Sequence, residues 1–162
     1  MRLTLTKRGE YGFRMLLYLA GREPGHRNTA AELAEACNIP PGNVPTIVNA
    51  LSRAGILSCS PGRRGGCQLA RAPEEITTLE VIEVLEGSLE IAHCFLDATR
   101  CHDHDPYCAL HDAWSEGRAA AIGALARTSL ADAAAREKEI EAELAARAQV
   151  VVPRSKTRRR SS

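Results

Sequence analysis

Apolar positions recur every three or four residues through the first third of the chain and predict three helices there. The first covers residues 7–21, and its apolar side chains are Tyr11, Met15, Tyr18 and Leu19. The second begins near Thr29, which has the spacing of a capping box with Glu32, and runs to about Cys37. The third follows a rigid turn, begins with Asn43 as its N-cap and ends before Gly55. Its inward side chains are Val44, Ile47, Val48 and Leu51.

Two strand-like segments, residues 56–60 and 67–70, flank a glycine-rich loop over residues 61–66. Arg63 and Arg64 lie at the tip of that loop. Two helices joined by a tight turn and followed by a basic-tipped β-hairpin form the order of a winged helix-turn-helix. The alternative interpretation is a phosphate-binding loop. Such a loop requires a helix directly after the glycines, and residues 67–70 do not have the pattern of a helix start.

The second half of the chain predicts three more helices around an irregular segment over residues 91–108. A short helix begins at Thr77, a longer one covers about 109–126, and the last runs from Thr128–Ser129 to about residue 148. The fold class expected from these elements is mainly α with a small β-hairpin wing.

Charge divides the chain into three parts. Residues 1–73 carry a net charge of +6, residues 74–150 a net charge of −10 and residues 151–162 a net charge of +5. A basic first part suggests a polyanionic partner, although scattered solvated charge is the plainer alternative. We therefore expect a DNA-binding winged helix over 1–73, cysteine-bearing and helical chain over 74–150, and a disordered basic tail over 151–162.

Composition narrows the class of protein further. Apolar residues make up 44% of the 162 residues and aromatic residues only 4%, which predicts an aliphatic core. The longest apolar run, Met15–Ala20, is far shorter than a membrane span, so we expect a cytoplasmic protein with no membrane partner. In that compartment the six cysteines favour metal binding, redox chemistry or packing over structural disulfides. The sequence shows neither a Ser-His-Asp signature nor paired acid–base carboxylates, so we do not expect an enzyme.

The most informative motif is a set of three thiols and one imidazole: Cys94, Cys101, Cys108 and His111. Thiolates select zinc or iron–sulfur clusters, and the even, wide spacing suits a cluster better than a zinc knuckle. Cys108 and His111 are three residues apart, so both can face one side of a helix's first turn. The histidines nearby, at positions 93, 102 and 104, are expected to be solvated.

The remaining cysteines, Cys37, Cys59 and Cys67, are expected to be small apolar fillers. A hairpin that is symmetric about residue 63 places Cys59 opposite Cys67, which leaves a redox-switch disulfide as the alternative for that pair.

The inward stripe of the third helix also defines its outward face. The residues expected there are Asn43, Thr46, Asn49 and Arg53, and some of them should read base edges of DNA. Arg63 and Arg64 suit phosphates or a narrow minor groove.

In order along the chain, these features resemble the winged-helix iron–sulfur regulators of bacteria typified by IscR and NsrR. The segments that carry the resemblance are Met1–Thr4, Tyr11–Ala20, Leu51–Ile56, Gly62–Leu69, Leu79–Ile82, Leu85–Gly87, the three cysteines of the motif and Thr128–Asp132. The resemblance implies a homodimer held by a long dimerisation helix over 109–126. It also implies a near-palindromic operator in double-stranded DNA, with one recognition helix on each half.

The resemblance further implies an iron–sulfur cluster, with 2Fe–2S favoured and 4Fe–4S the alternative. Three ligands would be the motif cysteines, and His111 matches the histidine ligand of IscR-like relatives. Glu10 is the alternative fourth ligand, since NsrR-like relatives place an acidic residue there that reaches the partner protomer's cluster. The function implied is a transcriptional regulator, most simply a repressor, that responds to redox state, nitric oxide or cluster supply. A zinc- or thiol-based regulator without a cluster is the alternative, and an electron carrier leaves the winged helix unexplained.

Overall fold

A computed structural model describes residues 4–62, 65–89 and 107–150 of the chain. The elements in these ranges are α1 (Lys7–Ala20), α2 (Ala30–Ala36), α3 (Val44–Arg53), β1 (Leu57–Ser60), β2 (Gly66–Leu69), α4 (Thr78–Glu86), α5 (His111–Arg127) and α6 (Leu130–Val150). Short 3-10 turns cover Pro41–Asn43 and Pro73–Glu75. This order confirms the expected mainly α fold with a small β-hairpin wing. Residues 91–106 of the segment predicted to be irregular, together with the basic tail after residue 150, lie outside the described residues.

Caps at the helix ends follow the predicted pattern with one exception. Thr29 and Glu32 form the predicted capping box at α2, and Asn38, with φ of 51°, follows the end of that helix. Asn43 occupies the N-cap position of α3, but its side chain makes no capping hydrogen bond, contrary to the prediction. The reason is local: the preceding 3-10 turn already holds Asn43 in a helical conformation, whereas a capping side chain needs an extended backbone.

One hydrophobic core joins the helix-turn-helix, the wing and the later helices. Its fully buried side chains are Met15, Leu16, Leu33, Val44, Ile47, Leu51, Ile56, Ile76, Val81 and Leu130. They come from α1, α2, α3, α4, α6 and the segments that flank the wing. The boundary near residue 73 therefore crosses a shared core, and the division into domains stays a prediction.

Helix α1 packs unusually closely against α4. A side chain at Gly9 would meet the Glu86 carboxylate, and one at Gly12 would meet Leu85. Glu86 Oε1 also accepts hydrogen bonds from the backbone N–H of Thr6 at 3.0 Å and from its hydroxyl at 2.7 Å. The start of α1 is thus attached to the last turn of α4, directly before the segment that carries the first two motif cysteines.

The other end of α4 is attached to the turn between α5 and α6. The backbone N–H of Thr78 donates to the Thr128 carbonyl at 2.9 Å, and that of Leu130 donates to the Ile76 carbonyl at 2.7 Å. Ser129 caps α6, because its hydroxyl accepts from the Asp132 N–H at 3.1 Å. In the described ranges, no helix is both long enough and apolar enough to cross a bilayer.

Candidate DNA-reading face and metal centre

The outward face of α3 carries four exposed polar residues: Asn43, Thr46, Asn49 and Arg53. The opposite face buries Val44, Ile47 and Leu51 completely or nearly so. The predicted split between inward and outward positions is therefore present, and it leaves amide, hydroxyl and guanidinium groups available to a partner. Contact of these groups with DNA stays a prediction.

The absence of a cap at Asn43 has a consequence for this face. Its side-chain amide makes no hydrogen bond to the first turn of α3. An amide that is not used for capping keeps both its donor and its acceptor for a base edge.

Beside α3, the wing is held at its base by two residues that no pattern in the sequence singles out. The guanidinium of Arg27 donates to the Ser58 carbonyl at 3.3 Å and to the Gly66 carbonyl at 3.1 Å. Asn28 exchanges two backbone hydrogen bonds with Cys67, at 2.9 Å and 2.8 Å. Both residues lie just before α2, so the wing is anchored to the helix-turn-helix itself. The wing-tip residues Arg63 and Arg64 lie outside the described residues.

The two wing cysteines form the disulfide that was the alternative expectation, and only Cys67 is also buried in the core like the expected apolar filler. Cys59 pairs with Cys67 across the hairpin, as the symmetry of the loop predicts, and the two sulfurs form a disulfide. Cys59 is exposed, so it has no packing role. Cys37, in contrast, is a buried core thiol as expected, and burial raises its pKa.

At the start of α5 the structure describes two of the four predicted metal ligands. Cys108 is a free thiol, and its carbonyl accepts the N–H of His111, the first residue of α5, at 3.0 Å. The His111 ring stacks on Tyr107 with centroids 3.9 Å apart, and its Nδ1 atom is buried without a hydrogen-bond partner. Cys94 and Cys101 lie outside the described residues, and the described ranges contain no cluster of three or more metal-ligand side chains.

Glu10, the alternative ligand, already has two cationic partners. Its carboxylate lies 2.7 Å from Lys7 Nζ and 2.5 Å from a guanidinium nitrogen of Arg14. The hydrogen bond from Lys7 holds the pKa of the Glu10 carboxyl below its ordinary value, with the charges of Lys7 and Arg14 adding to the effect. All three residues lie on α1, whose start is attached to α4.

Comparison with known proteins identifies the family. The profile of the Rrf2 family, described as an iron-dependent transcriptional regulator, matches residues 5–136. The chain belongs to the Rrf2 family. It is accordingly a DNA-binding transcriptional regulator and not an enzyme. The match spans the helix-turn-helix, the wing, the cysteine motif and the start of α6.

Rrf2-family relatives and structures agree with this assignment. The chain is 31% identical to the HTH-type transcriptional regulator NsrR of Halalkalibacterium halodurans over 140 residues, which covers 86% of this chain and 96% of that protein. The structure of CymR, the global cysteine regulator of B. subtilis, matches with a TM-score of 0.70 at 26% identity and covers 83% of this chain and 98% of that one. IscR of T. potens shares the fold, with a TM-score of 0.63 at 21% identity over 94% of each chain.

Proposed function

We propose that this Rrf2-family protein is a homodimeric, cytoplasmic repressor whose affinity for a near-palindromic operator depends on an iron–sulfur cluster. The proposed ligands are Cys94, Cys101, Cys108 and His111, and the favoured cluster is 2Fe–2S, with 4Fe–4S as the alternative. The proposed DNA-binding residues are Asn43, Thr46, Asn49, Arg53, Arg63 and Arg64. The signal would be redox state, nitric oxide or the supply of clusters.

The single observation that supports a metal centre most directly is the environment of His111. A buried nitrogen without a partner is costly in a folded protein, and a role in binding a metal ion is one of the recognised reasons for it. This nitrogen belongs to a residue three positions after a free thiol. Imidazole and thiolate together are a normal donor set for a 2Fe–2S centre, so the residues fit the group.

When bound, the cluster would supply a centre that oxidants and nitric oxide can alter. The chain itself provides the path to the DNA-binding face. Cys108 lies three residues before the start of α5, and α5 packs on α4. Helix α4 in turn packs on α3 and is attached to the start of α1 through Glu86. Ligand binding at Cys108 and His111 would therefore favour one arrangement of these helices over another, which is a population shift between two states of the dimer.

A second copy of the chain is the proposed partner of α5. None of its 17 residues is buried, although the apolar side chains Ile122 and Leu125 lie along it. An apolar groove of about 640 Å³ lies between the start of α1, α4 and α5. Helices with an incompletely covered apolar face commonly bury it against a symmetry mate, and two-fold dimers are the commonest oligomers.

A zinc- or thiol-based regulator without a cluster is the second candidate. The disulfide between Cys59 and Cys67 favours it, because a cysteine pair of this kind can be oxidised and reduced without any metal. The similar fold of CymR, the global cysteine regulator of B. subtilis, points the same way.

Anaerobic purification decides between these candidates. We expect a coloured protein with visible charge-transfer absorption, stoichiometric iron and sulfide, and a DNA affinity that changes when the cluster is removed. Zinc in place of iron, or a colourless protein with unchanged DNA binding, would contradict the proposal and favour the second candidate.

Arg63 and Arg64 at the wing tip are expected to contribute charge-based affinity for DNA. Replacing both Arg63 and Arg64 by alanine should weaken DNA binding on all sequences, because a basic loop tip contacts phosphates rather than bases. The slope of log affinity against log salt should fall by about one or two units, as expected for one or two lost phosphate contacts. Fluorescence anisotropy at several salt concentrations measures this slope. An unchanged slope with an altered base preference would show direct readout instead.

A further inference from the structure

We propose that Cys59 and Cys67 form a redox-active dithiol in the wing, a modification site for low-molecular-weight disulfides. The site is separate from the proposed cluster ligands and acts directly on the DNA-binding face. The inference rests on DNA binding by the wing and does not require the cluster.

The hairpin register brings the two cysteines together without any special backbone. Strands β1 and β2 pair antiparallel with Cys59 directly opposite Cys67, and their Cα atoms are 4.1 Å apart. The N–H and carbonyl of Cys67 both bond to Asn28, on the side away from β1. The two cysteines therefore form a non-hydrogen-bonded pair, the kind in which facing side chains approach most closely.

The two thiols differ in accessibility, which assigns their order of reaction. Cys59 is exposed, whereas Cys67 is only 7% exposed. A Cys59 thiolate would attack one sulfur of an external disulfide, form a mixed disulfide and release one thiolate. A Cys67 thiolate would then attack the Cys59 sulfur and release the second. Two cysteine thiols are oxidised, one external disulfide is reduced to two thiols, and the two cysteine protons end on the released thiols.

Contacts around the pair connect its state to the DNA-binding face. The Cys59 sulfur lies 3.4 Å from the hydroxyl of Ser52, in the last turn of the recognition helix α3. Arg27 and Asn28 hold the base of the hairpin through hydrogen bonds that do not involve sulfur. Opening the disulfide therefore leaves the base of the hairpin hydrogen-bonded and removes the covalent link between the two ends of the loop.

That loop carries Arg63 and Arg64, the predicted phosphate contacts. The disulfide closes it with a sequence separation of 8 between the two cysteines. Binding orders a loop at a cost in entropy, and a loop that is already closed loses less. We expect the oxidised wing to bind DNA about three- to tenfold more tightly than the reduced wing, because pre-organisation removes part of that cost.

Trapping of the mixed disulfide tests the assigned order. Full-length Cys67→Ser and Cys59→Ser variants, first reduced, are treated with glutathione disulfide under anaerobic conditions and mapped by mass spectrometry. We expect a glutathione adduct on Cys59 in the first variant and little adduct on Cys67 in the second. Equal adducts in both variants, or none in either, would overturn the proposal.

Measurement of DNA affinity tests whether the disulfide strengthens DNA binding. The probe is a labelled duplex selected from a randomised pool with the reduced wild-type protein. Treatment with glutathione disulfide should tighten binding of the wild type about three- to tenfold and leave Cys59→Ser/Cys67→Ser unchanged. The same shift in both proteins, or no shift in the wild type despite a mapped disulfide, would overturn it. Visible absorption, recorded on the same samples, reports the cluster separately, so failure of the cluster proposal is recognised independently.

Discussion

Replacing Cys108 by alanine should abolish the visible absorption of the anaerobically purified protein and the dependence of its DNA affinity on the cluster. The expected effect is complete, because a cluster loses its firm attachment when one of three thiolates is removed and no other free thiol is described nearby. Iron and sulfide analysis together with the visible spectrum measures the loss. DNA binding itself should persist, since the polar face of α3 lies on a separate helix.

Cys37→Ala is the matched control for this prediction. It also removes one free thiol, but that thiol is buried in the core beside α1 and its sulfur lies 3.8 Å from the Arg14 carbonyl. Its spectrum should equal that of the wild type. If Cys108→Ala keeps a normal cluster while Cys37→Ala does not, the assignment of the ligands is wrong.

The same spectroscopic experiment, applied to variants of His111 and Glu10, identifies the fourth ligand. We expect His111→Ala to alter the Mössbauer and visible spectra, because its buried Nδ1 lacks a partner in the chain. Glu10→Ala should leave them unchanged, because the Glu10 carboxylate is already paired with Lys7 and Arg14. Exposed ion pairs of this kind are weak because solvent screens them, so they do not prevent Glu10 from binding a metal. The opposite pattern would favour an acidic ligand from the partner protomer.

Asn49→Ala should weaken binding to the selected operator about five- to 150-fold and flatten the preference at one base position. This range corresponds to the ~1–3 kcal/mol of discrimination in one bidentate amide–base contact. Asn49 is exposed in the middle of α3, and alanine is the better helix former. The variant should therefore fold at least as stably as the wild type. Competition binding against single-base operator variants measures the effect.

A second test of the α3 face compares Arg53→Ala with Arg147→Ala, which removes the same charge elsewhere and serves as the control. Both are exposed arginines near the end of a helix, but Arg147 lies far along α6. Arg53→Ala should weaken binding and Arg147→Ala should not, whereas both should change the stability of the fold by less than about 0.5–1 kcal/mol. Equal losses from the two variants would indicate a general charge effect and not a reading face on α3.

Local features of the chain were predictable because they depend on nearby residues. Thr29 and Glu32 cap α2 through bonds that span three positions, and apolar spacing alone separates Ile47 from Asn49 on α3. The pairing of Cys59 with Cys67 follows from the symmetry of the hairpin loop. The cap expected at Asn43 does not form, because the predicted turn before α3 is a 3-10 turn that holds Asn43 in a helical conformation.

What the sequence determined by itself is therefore the order of the elements, their inward and outward faces, and the set of sulfur and imidazole donors. The tertiary structure decided which distant groups meet. Glu86 accepts hydrogen bonds from Thr6, 80 residues away, and Arg27 donates to both strands of a hairpin 31 and 39 residues away. It also left the Nδ1 of His111 buried without a partner. Such contacts depend on how helices pack against one another, and no periodicity in the chain encodes the distance between two atoms that only the completed core brings together.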